Sequence, residues 1–268
     1  MSEKAVLLQL DGPVAHIVLN RPHVLNAMNM DWVLALEEAV QQVAAQPEVR
    51  VVVVRGAGRA FCSGLDLDMY SRELMPPGFF ATQERGFHGL ESMDKITIAA
   101  IHGYCLGGGL QLAIACDLRV CSSDAVLGLP AINEGLIPGM APYRLPRLIG
   151  LGPACRLILS GEPIGAEEAY RLGLVDYLVP AERFQEGLAE VVSHYLKVPH
   201  MAAIASKRLM RKAFHISFAE ALDEAQDLTA QCLASPEAAA AAAQWQQRKL
   251  ERRALSRGEG PEAPQPPS

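Results

Sequence analysis

The sequence lacks charge over one long stretch. From Ile96 to Cys116, 21 consecutive residues include no Asp, Glu, Lys or Arg, which is long enough for a helix to cross a bilayer. The same stretch contains His102, Gln111 and the triplet Gly107–Gly109, which would leave a spanning helix polar and poorly formed. We therefore expect a buried strand, a turn and a buried helix here, and no membrane partner.

Paired cysteines, a secretory signal and an excess of positive charge are missing as well. A net charge of −6 over 268 residues argues against a nucleic-acid partner. The six cysteines contain no C-x-x-C pair, and scattered thiols with no signal peptide are typical of a reduced, cytoplasmic protein. The histidines show no short ligand spacing with cysteine or carboxylate, so no metal is expected.

Strand and helix patterns alternate along the first two thirds of the chain. Short apolar runs around the turn Asp11-Gly12-Pro13 predict a hairpin. A helix capped by Asn29 or Asp31 and ending near Gln46 follows. Buried strands are expected at 51–54, 97–101 and 118–121. Such alternation predicts an α/β fold with parallel strands.

Helical patterns dominate after Pro180. They cover 184–196, 201–213, 218–233 and 236–249. The last residues, 258–268, are rich in Pro, Gly and Glu and predict a disordered tail.

The first loop with chemical interest follows the predicted strand at 51–54. Gly56 and Gly58 begin a dinucleotide-type G-x-G-x-x-G pattern, but Phe61 stands where the third glycine must allow close packing. Ser63 cannot be a nucleophile elbow, because that motif needs glycine at Phe61 and Leu65.

The second loop spans 102–112 between a buried strand and a helix and contains Gly107, Gly108 and Gly109. Glycines let the backbone approach a ligand, and the first N–H groups of a helix are unpaired donors where the dipole favours negative charge. A tight strand-to-helix turn without any ligand explains the same residues.

Four segments together resemble the signatures of the crotonase (enoyl-CoA hydratase/isomerase) superfamily. The motifs are Ile17-Val18-Leu19-Asn20-Arg21-Pro22 with Leu25-Asn26-Ala27, Ala60-Phe61-Cys62-Ser63-Gly64-Leu65-Asp66-Leu67, Ala99 to Gly109 continuing to Cys116-Asp117, and Leu127-Gly128-Leu129-Pro130 through Gly139. Each motif alone is moderate evidence for the resemblance, and the presence of all four in the right order makes the evidence strong. The resemblance runs from about Leu10 to Lys249.

The resemblance implies a crotonase-like spiral of ββα units with a C-terminal helical region. Residues 1–195 would form the spiral core with the acyl-CoA site, and residues 196–255 a helical trimerisation region, followed by a tail at 256–268. A homotrimer, or a hexamer built from two trimers, is expected.

The resemblance also implies an acyl-CoA site. Backbone N–H groups of Ser63 and Gly108 would hold the thioester carbonyl as an oxyanion hole. Contacts to coenzyme A, which would bind as part of the substrate and not as a tightly held cofactor, would come from His23, Val24, Leu25, Ser63, Gly64, Leu65, Asp66, Trp245 and Lys249. Ordinary helix packing explains Trp245 as well.

The chain departs from the hydratase pattern at both acids that hold and activate water. Gln111 and Ala131 occupy those two positions, and neither side chain takes up a proton at neutral pH. Glu134 lies three residues after Ala131, so a helical turn would direct it into the same cavity; it is also consistent with a surface glutamate. Glu84 and His88 are further candidates for acid–base work.

These substitutions favour an enzyme of the enoyl-CoA hydratase/isomerase type that catalyses isomerisation or another non-hydratase reaction. An acyl-CoA hydrolase, decarboxylase or dehalogenase, or a non-catalytic protein that binds CoA thioesters, stays open as an alternative.

Overall fold

The computed structural model describes residues 4–72 and 75–256, with side chains up to residue 252. Apart from its first residue, the tail predicted at 256–268 lies outside the described residues. The chain divides into two compact units, one ending at Lys197 and one beginning at Val198. None of the helices in the described ranges combines the length and apolarity that a bilayer crossing requires.

Two sheets organise the first unit. In chain order the strands are β1 (Val6–Asp11), β2 (Val14–Leu19), β3 (Val51–Gly56), β4 (Ile96–Ile101), β5 (Tyr104–Leu106), β6 (Leu118–Ser122), β7 (Val126–Gly128), β8 (Ile164–Gly165) and β9 (Tyr177–Val179). The larger sheet has the order β1-β2-β3-β4-β6-β9, and the smaller one β5-β7-β8. In the larger sheet β1 and β2 are an antiparallel hairpin and all other neighbours are parallel. The predicted hairpin and parallel α/β sheet are confirmed.

Helices connect these strands and make up the second unit. They are α1 (Met30–Ala44), α2 (Leu67–Ser71), α3 (Phe79–Ser92), α4 (Gly108–Ala115), α5 (Ala141–Ile149), α6 (Leu151–Ser160), α7 (Ala166–Arg171) and α8 (Phe184–Leu196), followed in the second unit by α9 (His200–Lys212), α10 (Phe218–Leu233) and α11 (Pro236–Ser256). Asn29 is the cap of α1, since its side chain accepts from the Trp32 N–H. The four helices predicted after Pro180 are confirmed as α8 to α11.

The segment 102–112 is not one loop, as the sequence analysis assumed. Residues Tyr104–Leu106 form β5, which pairs in parallel with β7. Three residues are too few to establish a recognisable alternation of apolar and polar positions. The extra strand separates the β4 turn from the start of α4, and it fixes where the glycine triplet begins.

The apolar stripe predicted on α1 lies in the main core. Trp32, Leu36 and Val43 are fully buried, and Val40 is 4% exposed. Complete burial of one such side chain stabilises a fold by about 1.5–3 kcal/mol. The stripe therefore anchors α1 to the sheet that carries the first loop.

A buried asparagine holds the loop after β3. Asn26 is fully buried, and its amide nitrogen donates to the carbonyls of Ala57 and Ala60 at 2.9 Å each and of Phe61 at 3.2 Å. Its side-chain oxygen accepts from the Arg21 N–H at 2.8 Å. Asn26 has φ +58, a left-handed conformation that asparagine tolerates better than most residues. One side chain thus directs three loop carbonyls inward.

We predict that Asn26→Asp destabilises the fold strongly, because the substitution replaces the donor with an acceptor that faces three carbonyl oxygens. The expected loss of unfolding free energy is at least about 3 kcal/mol, since each orphaned buried group costs roughly 1–3 kcal/mol. Urea unfolding checks this. The matched control is Asn20→Asp, whose amide makes one exposed bond to the Lys4 carbonyl, and it should cost less than about 1 kcal/mol. Equal losses of unfolding free energy in the two variants would contradict the role given to the Asn26 amide in holding the loop.

Candidate active site

The two glycine segments identified in the sequence lie side by side. Phe61 N–H donates to His102 O at 2.8 Å, and Cys62 exchanges backbone bonds of 2.9 Å with Tyr104 and Leu106. Gly109 permits this approach, because a Cβ there would lie 2.3 Å from Cys62 O. The pairing brings residues 63–65 next to the first turn of α4.

Gly108 begins α4 and offers its N–H at this junction. The preceding Gly107 has φ +52, and its own N–H donates to Gly128 O at 2.9 Å. Within the described part of the chain the Gly108 N–H has no acceptor. A helix N-terminus carries a partial positive charge, so this donor suits an oxygen that gains negative charge.

The Ser63 N–H is not free to act as the second donor, contrary to the role that the sequence analysis assigned to it. It donates to Leu25 O at 3.0 Å. The carbonyl of Gly64 and the N–H of Asp66 both bond to Met28, at 2.7 and 3.0 Å. In such parallel pairing the residue between the two bonded groups directs its own N–H away from the partner segment.

Leu65 is that intermediate residue. It forms an isolated parallel bridge with Met28, and its N–H has no acceptor among the described residues. Next to it, Gly64 approaches α4 so closely that a Cβ there would lie 3.1 Å from Gly108 N. The two unpaired backbone donors at this junction therefore belong to Leu65 and Gly108.

A small cavity of about 90 Å³ opens beside these donors. Its wall is mostly apolar and combines residues from both loops, from α3 and from the segment before α5. The lining residues are Met28, Ser63, Leu65, Leu67, Phe79, Phe80, Gln83, Gly107, Gly108, Gln111, Pro130, Ala131, Glu134, Leu136, Ile137, Pro138 and Gly139. Among these described residues, Glu134 has the only ionisable side chain.

Glu134 faces the cavity together with Ala131. Both belong to a 3₁₀ helix, Pro130–Glu134, in which side chains three residues apart lie directly above one another. The Tyr70 hydroxyl donates to the Glu134 carbonyl at 3.1 Å and fixes this turn. Glu134 therefore lines the cavity from a 3₁₀ turn rather than an α-helical one, and its acid–base role stays a prediction.

Gln111 and Ala131, which stand where the family resemblance expects two acids, line the same cavity. Gln111 is 5% exposed, and its side-chain oxygen is buried without a hydrogen-bond partner. Gly139, at φ +44, lies against this amide, since a Cβ there would be 2.3 Å from that oxygen. The Ala131 methyl group has no polar atom to offer.

Glu84 and His88 do not line the cavity. Glu84 pairs with the guanidinium of Arg144, which also binds Glu91 at 2.9 Å. The His88 side chain is 69% exposed and lies 3.4 Å from Glu91. Their positions on α3 direct them toward α5 and solvent.

Gln83, one residue before Glu84, faces the cavity and was missed. It is 6% exposed and shares the buried face of α3 with Phe79 and Phe87. Gln83 lies four residues after Phe79 and four residues before Phe87, so all three share one face of the helix. This spacing could have identified Gln83 as a residue of the buried face.

The residues assigned to coenzyme A contacts fall into two groups. The Ser63 hydroxyl lies 3.5 Å from Val24 O, so the exposed turn at 23–25 adjoins the loop at 63–66. Asp66 already binds Arg21 at 3.1 Å and caps α2. Trp245 and Lys249 belong to the second unit, where the ammonium lies 4.8 Å from the indole ring centre.

Cys62 adds no nucleophile to the site. Burial raises the pKa of its thiol to about 12, and its sulfur lies 3.1 Å from Asn26 O. A thiol must lose its proton to attack a substrate. Within residues 4–72 and 75–256, no group of three or more His, Cys, Asp or Glu side chains could hold a metal ion.

Comparison with known proteins assigns the family. Residues 10–255 match the family described as enoyl-CoA hydratase/isomerase, and the chain belongs to that family of enzymes. Its fold is that of the crotonase superfamily, as the sequence motifs predicted.

Individual relatives agree with this assignment. The chain is 32% identical over 244 residues to the crotonyl-CoA hydratase of Syntrophomonas wolfei, covering 88% of this chain and 92% of the relative. The crystal structure of an enoyl-CoA hydratase from Bacillus anthracis superposes with a TM-score of 0.85 at 27% identity, covering 91% and 96% of the two chains. A Thermobifida fusca structure solved in complex with acetoacetyl-CoA gives a TM-score of 0.80 at 32% identity, covering 86% and 95%.

Proposed function

We propose that this protein binds an acyl-coenzyme A thioester with the thioester oxygen between the N–H groups of Leu65 and Gly108. The single observation that carries the proposal is this pair of unpaired backbone donors beside a partly open, mostly apolar cavity. Donors fixed before reaction stabilise developing negative charge, and removal of one such donor in another enzyme costs about 3–4 kcal/mol. The relative solved with acetoacetyl-CoA supports the ligand class.

The coenzyme A part of the ligand would leave the cavity past the turn at 23–25 and the loop at 63–66. Val24 is 37% exposed, and His23 beside it is exposed as well. We place the nucleotide there. The coenzyme A contacts that the family resemblance implies for Trp245 and Lys249, which belong to the second unit, stay a prediction.

Water addition is not the reaction that we propose, although relatives are named as hydratases. An amide at Gln111 and a methyl group at Ala131 can neither deprotonate water nor deliver its proton to carbon. The backbone donors do not depend on these side chains. Thioester binding and enolate stabilisation would therefore survive where hydration is lost.

Double-bond isomerisation fits the remaining chemistry. Glu134 would remove a proton from one carbon beside the double bond, and the electron pair would move into a thioester enolate held by Leu65 and Gly108. The same carboxyl group would return the proton at the other end of the allylic system. General acid–base help of this kind contributes roughly 100- to 10,000-fold.

We predict that Glu134→Gln abolishes isomerisation of a 3-enoyl-CoA without weakening its binding. Turnover should fall by about 100- to 10,000-fold, because the proton carrier is lost, while the dissociation constant changes less than about twofold since the donors are backbone groups. Appearance of the conjugated enoyl thioester, with product masses, measures turnover; calorimetry measures binding. The exposed Glu162→Gln is the matched control and should behave as wild type.

The same assay separates the alternatives. Rapid hydration of crotonyl-CoA by the wild-type protein would contradict the proposal, and undiminished isomerisation by Glu134→Gln would remove Glu134 from it. Products of hydrolysis, decarboxylation or dehalogenation would assign those reactions instead. Binding without any turnover across an acyl-CoA panel would leave a non-catalytic thioester-binding protein.

We also propose that the helices at 196–255 assemble the chain into trimers, or into hexamers of two trimers. Large apolar side chains there are exposed in the single chain, among them Phe218 at 83%, Leu233 at 74% and Phe214 at 63%. Exposed apolar groups at this density are typical of protein interfaces. Light scattering at micromolar concentration should give three or six times the chain mass, and a monomeric mass would contradict the proposal.

A further inference from the structure

Three large apolar side chains are exposed to solvent where the cavity opens. Leu67 at the start of α2 is 52% exposed, Phe80 on α3 is 50% exposed, and Ile137, just before α5, is 73% exposed. All three also line the cavity. Single exposed apolar side chains are common on protein surfaces, but a cluster of them around one opening is typical of a binding site. We call these three residues the rim.

The apolar wall of the cavity continues into the rim. Phe79 lines the cavity and is 1% exposed. The ring of Phe80 packs edge-on against it, with the ring centres 5.3 Å apart and the planes at 90°. Pro138, which also lines the cavity, is buried directly after the exposed Ile137. A ligand that fills the cavity can therefore extend along apolar surface to the rim.

The enclosed space is too small for a long acyl chain. The cavity has a volume of about 90 Å³, whereas an engineered apolar cavity of about 150 Å³ holds one benzene molecule. The enclosed part therefore takes fewer than about six carbon atoms, and further carbons of an acyl chain would lie against the rim. The turn at 23–25, where we place the nucleotide, contributes no residue to the described cavity wall, so that placement leaves the rim to the acyl chain.

We infer that this protein is selective for acyl-CoA thioesters with an apolar chain of about eight or more carbon atoms, whose far end packs against Leu67, Phe80 and Ile137. This inference rests on the proposed function, since the chain reaches the rim only if the thioester binds at Leu65 and Gly108. The chain would remove the rim from water, and each CH₂ group that is fully buried in this way strengthens binding by about fourfold.

Calorimetric titration with saturated butanoyl-, hexanoyl- and decanoyl-CoA, at concentrations below micelle formation, tests the inference. Decanoyl-CoA has four more CH₂ groups than hexanoyl-CoA. Half burial of each group against the rim strengthens binding by about twofold per group. The wild-type protein should therefore bind decanoyl-CoA at least about tenfold more tightly than hexanoyl-CoA.

The double variant Leu67→Ser, Ile137→Ser removes apolar surface from the rim, and both positions are at least half exposed. It should reduce the decanoyl-to-hexanoyl preference to below about threefold. Butanoyl-CoA should bind within about twofold of its wild-type affinity, because its chain ends inside the cavity. Leu159→Ser is the matched control. Leu159 is 69% exposed on α6, outside the cavity wall, so the full preference should remain.

The outcomes distinguish this inference from the proposed function. Equal binding of hexanoyl- and decanoyl-CoA by the wild-type protein, or weaker binding of decanoyl-CoA, would overturn the inference and leave thioester binding intact. This is the result expected if a second copy of the chain covers the rim. A full preference in the double variant would overturn the assignment to the rim. If none of the three thioesters binds, the proposed function fails and the inference fails with it.

Discussion

The orientation of a few peptide groups in the loop after β3 is the constraint on which the rest of the site depends. Asn26 draws the carbonyls of Ala57, Ala60 and Phe61 inward, and Met28 pairs with the groups on both sides of Leu65. The Leu65 N–H consequently points away from the protein segment that holds the loop. The donors that this loop can offer to a ligand depend less on its side chains than on which of its backbone N–H groups already have a hydrogen-bond partner.

That dependence on the backbone would let the proposed thioester site persist without the two acids that the family resemblance expects at Gln111 and Ala131. The donors at Leu65 and Gly108 are unaffected by Gln111 or Ala131, which lie on other parts of the cavity wall. The remaining carboxylate, Glu134, stands on a 3₁₀ turn that Tyr70 fixes from α2. In the proposed function, substrate binding and proton transfer would therefore come from separate elements, and they could change independently.

The sequence predicted the fold more completely than the site. The β-branched run at 51–54 predicts β3, and the apolar stripe predicts α1. Both were recognised because burial of their apolar side chains leaves a clear pattern in the sequence. Strand β5 was missed because three residues carry no periodicity. The sequence assigned the donor to Ser63 and did not consider Leu65, because these two residues of one motif differ in their hydrogen bonding to Leu25 and Met28, which are distant in sequence. Gln83 was missed because an amide cannot exchange a proton, so its residue type carries no acid–base signal, whereas the carboxylate of Glu84 does.

In the proposed complex, two backbone N–H groups polarise the thioester carbonyl. Infrared spectroscopy of a bound saturated acyl-CoA with a ¹³C-labelled thioester carbonyl tests it most directly, since hydrogen bonds to the oxygen weaken the C=O bond and lower its stretching frequency. We expect one band in the complex at a lower frequency than for the same thioester in water, where solvent already donates to the oxygen. A band at or above the frequency in water would contradict the claim.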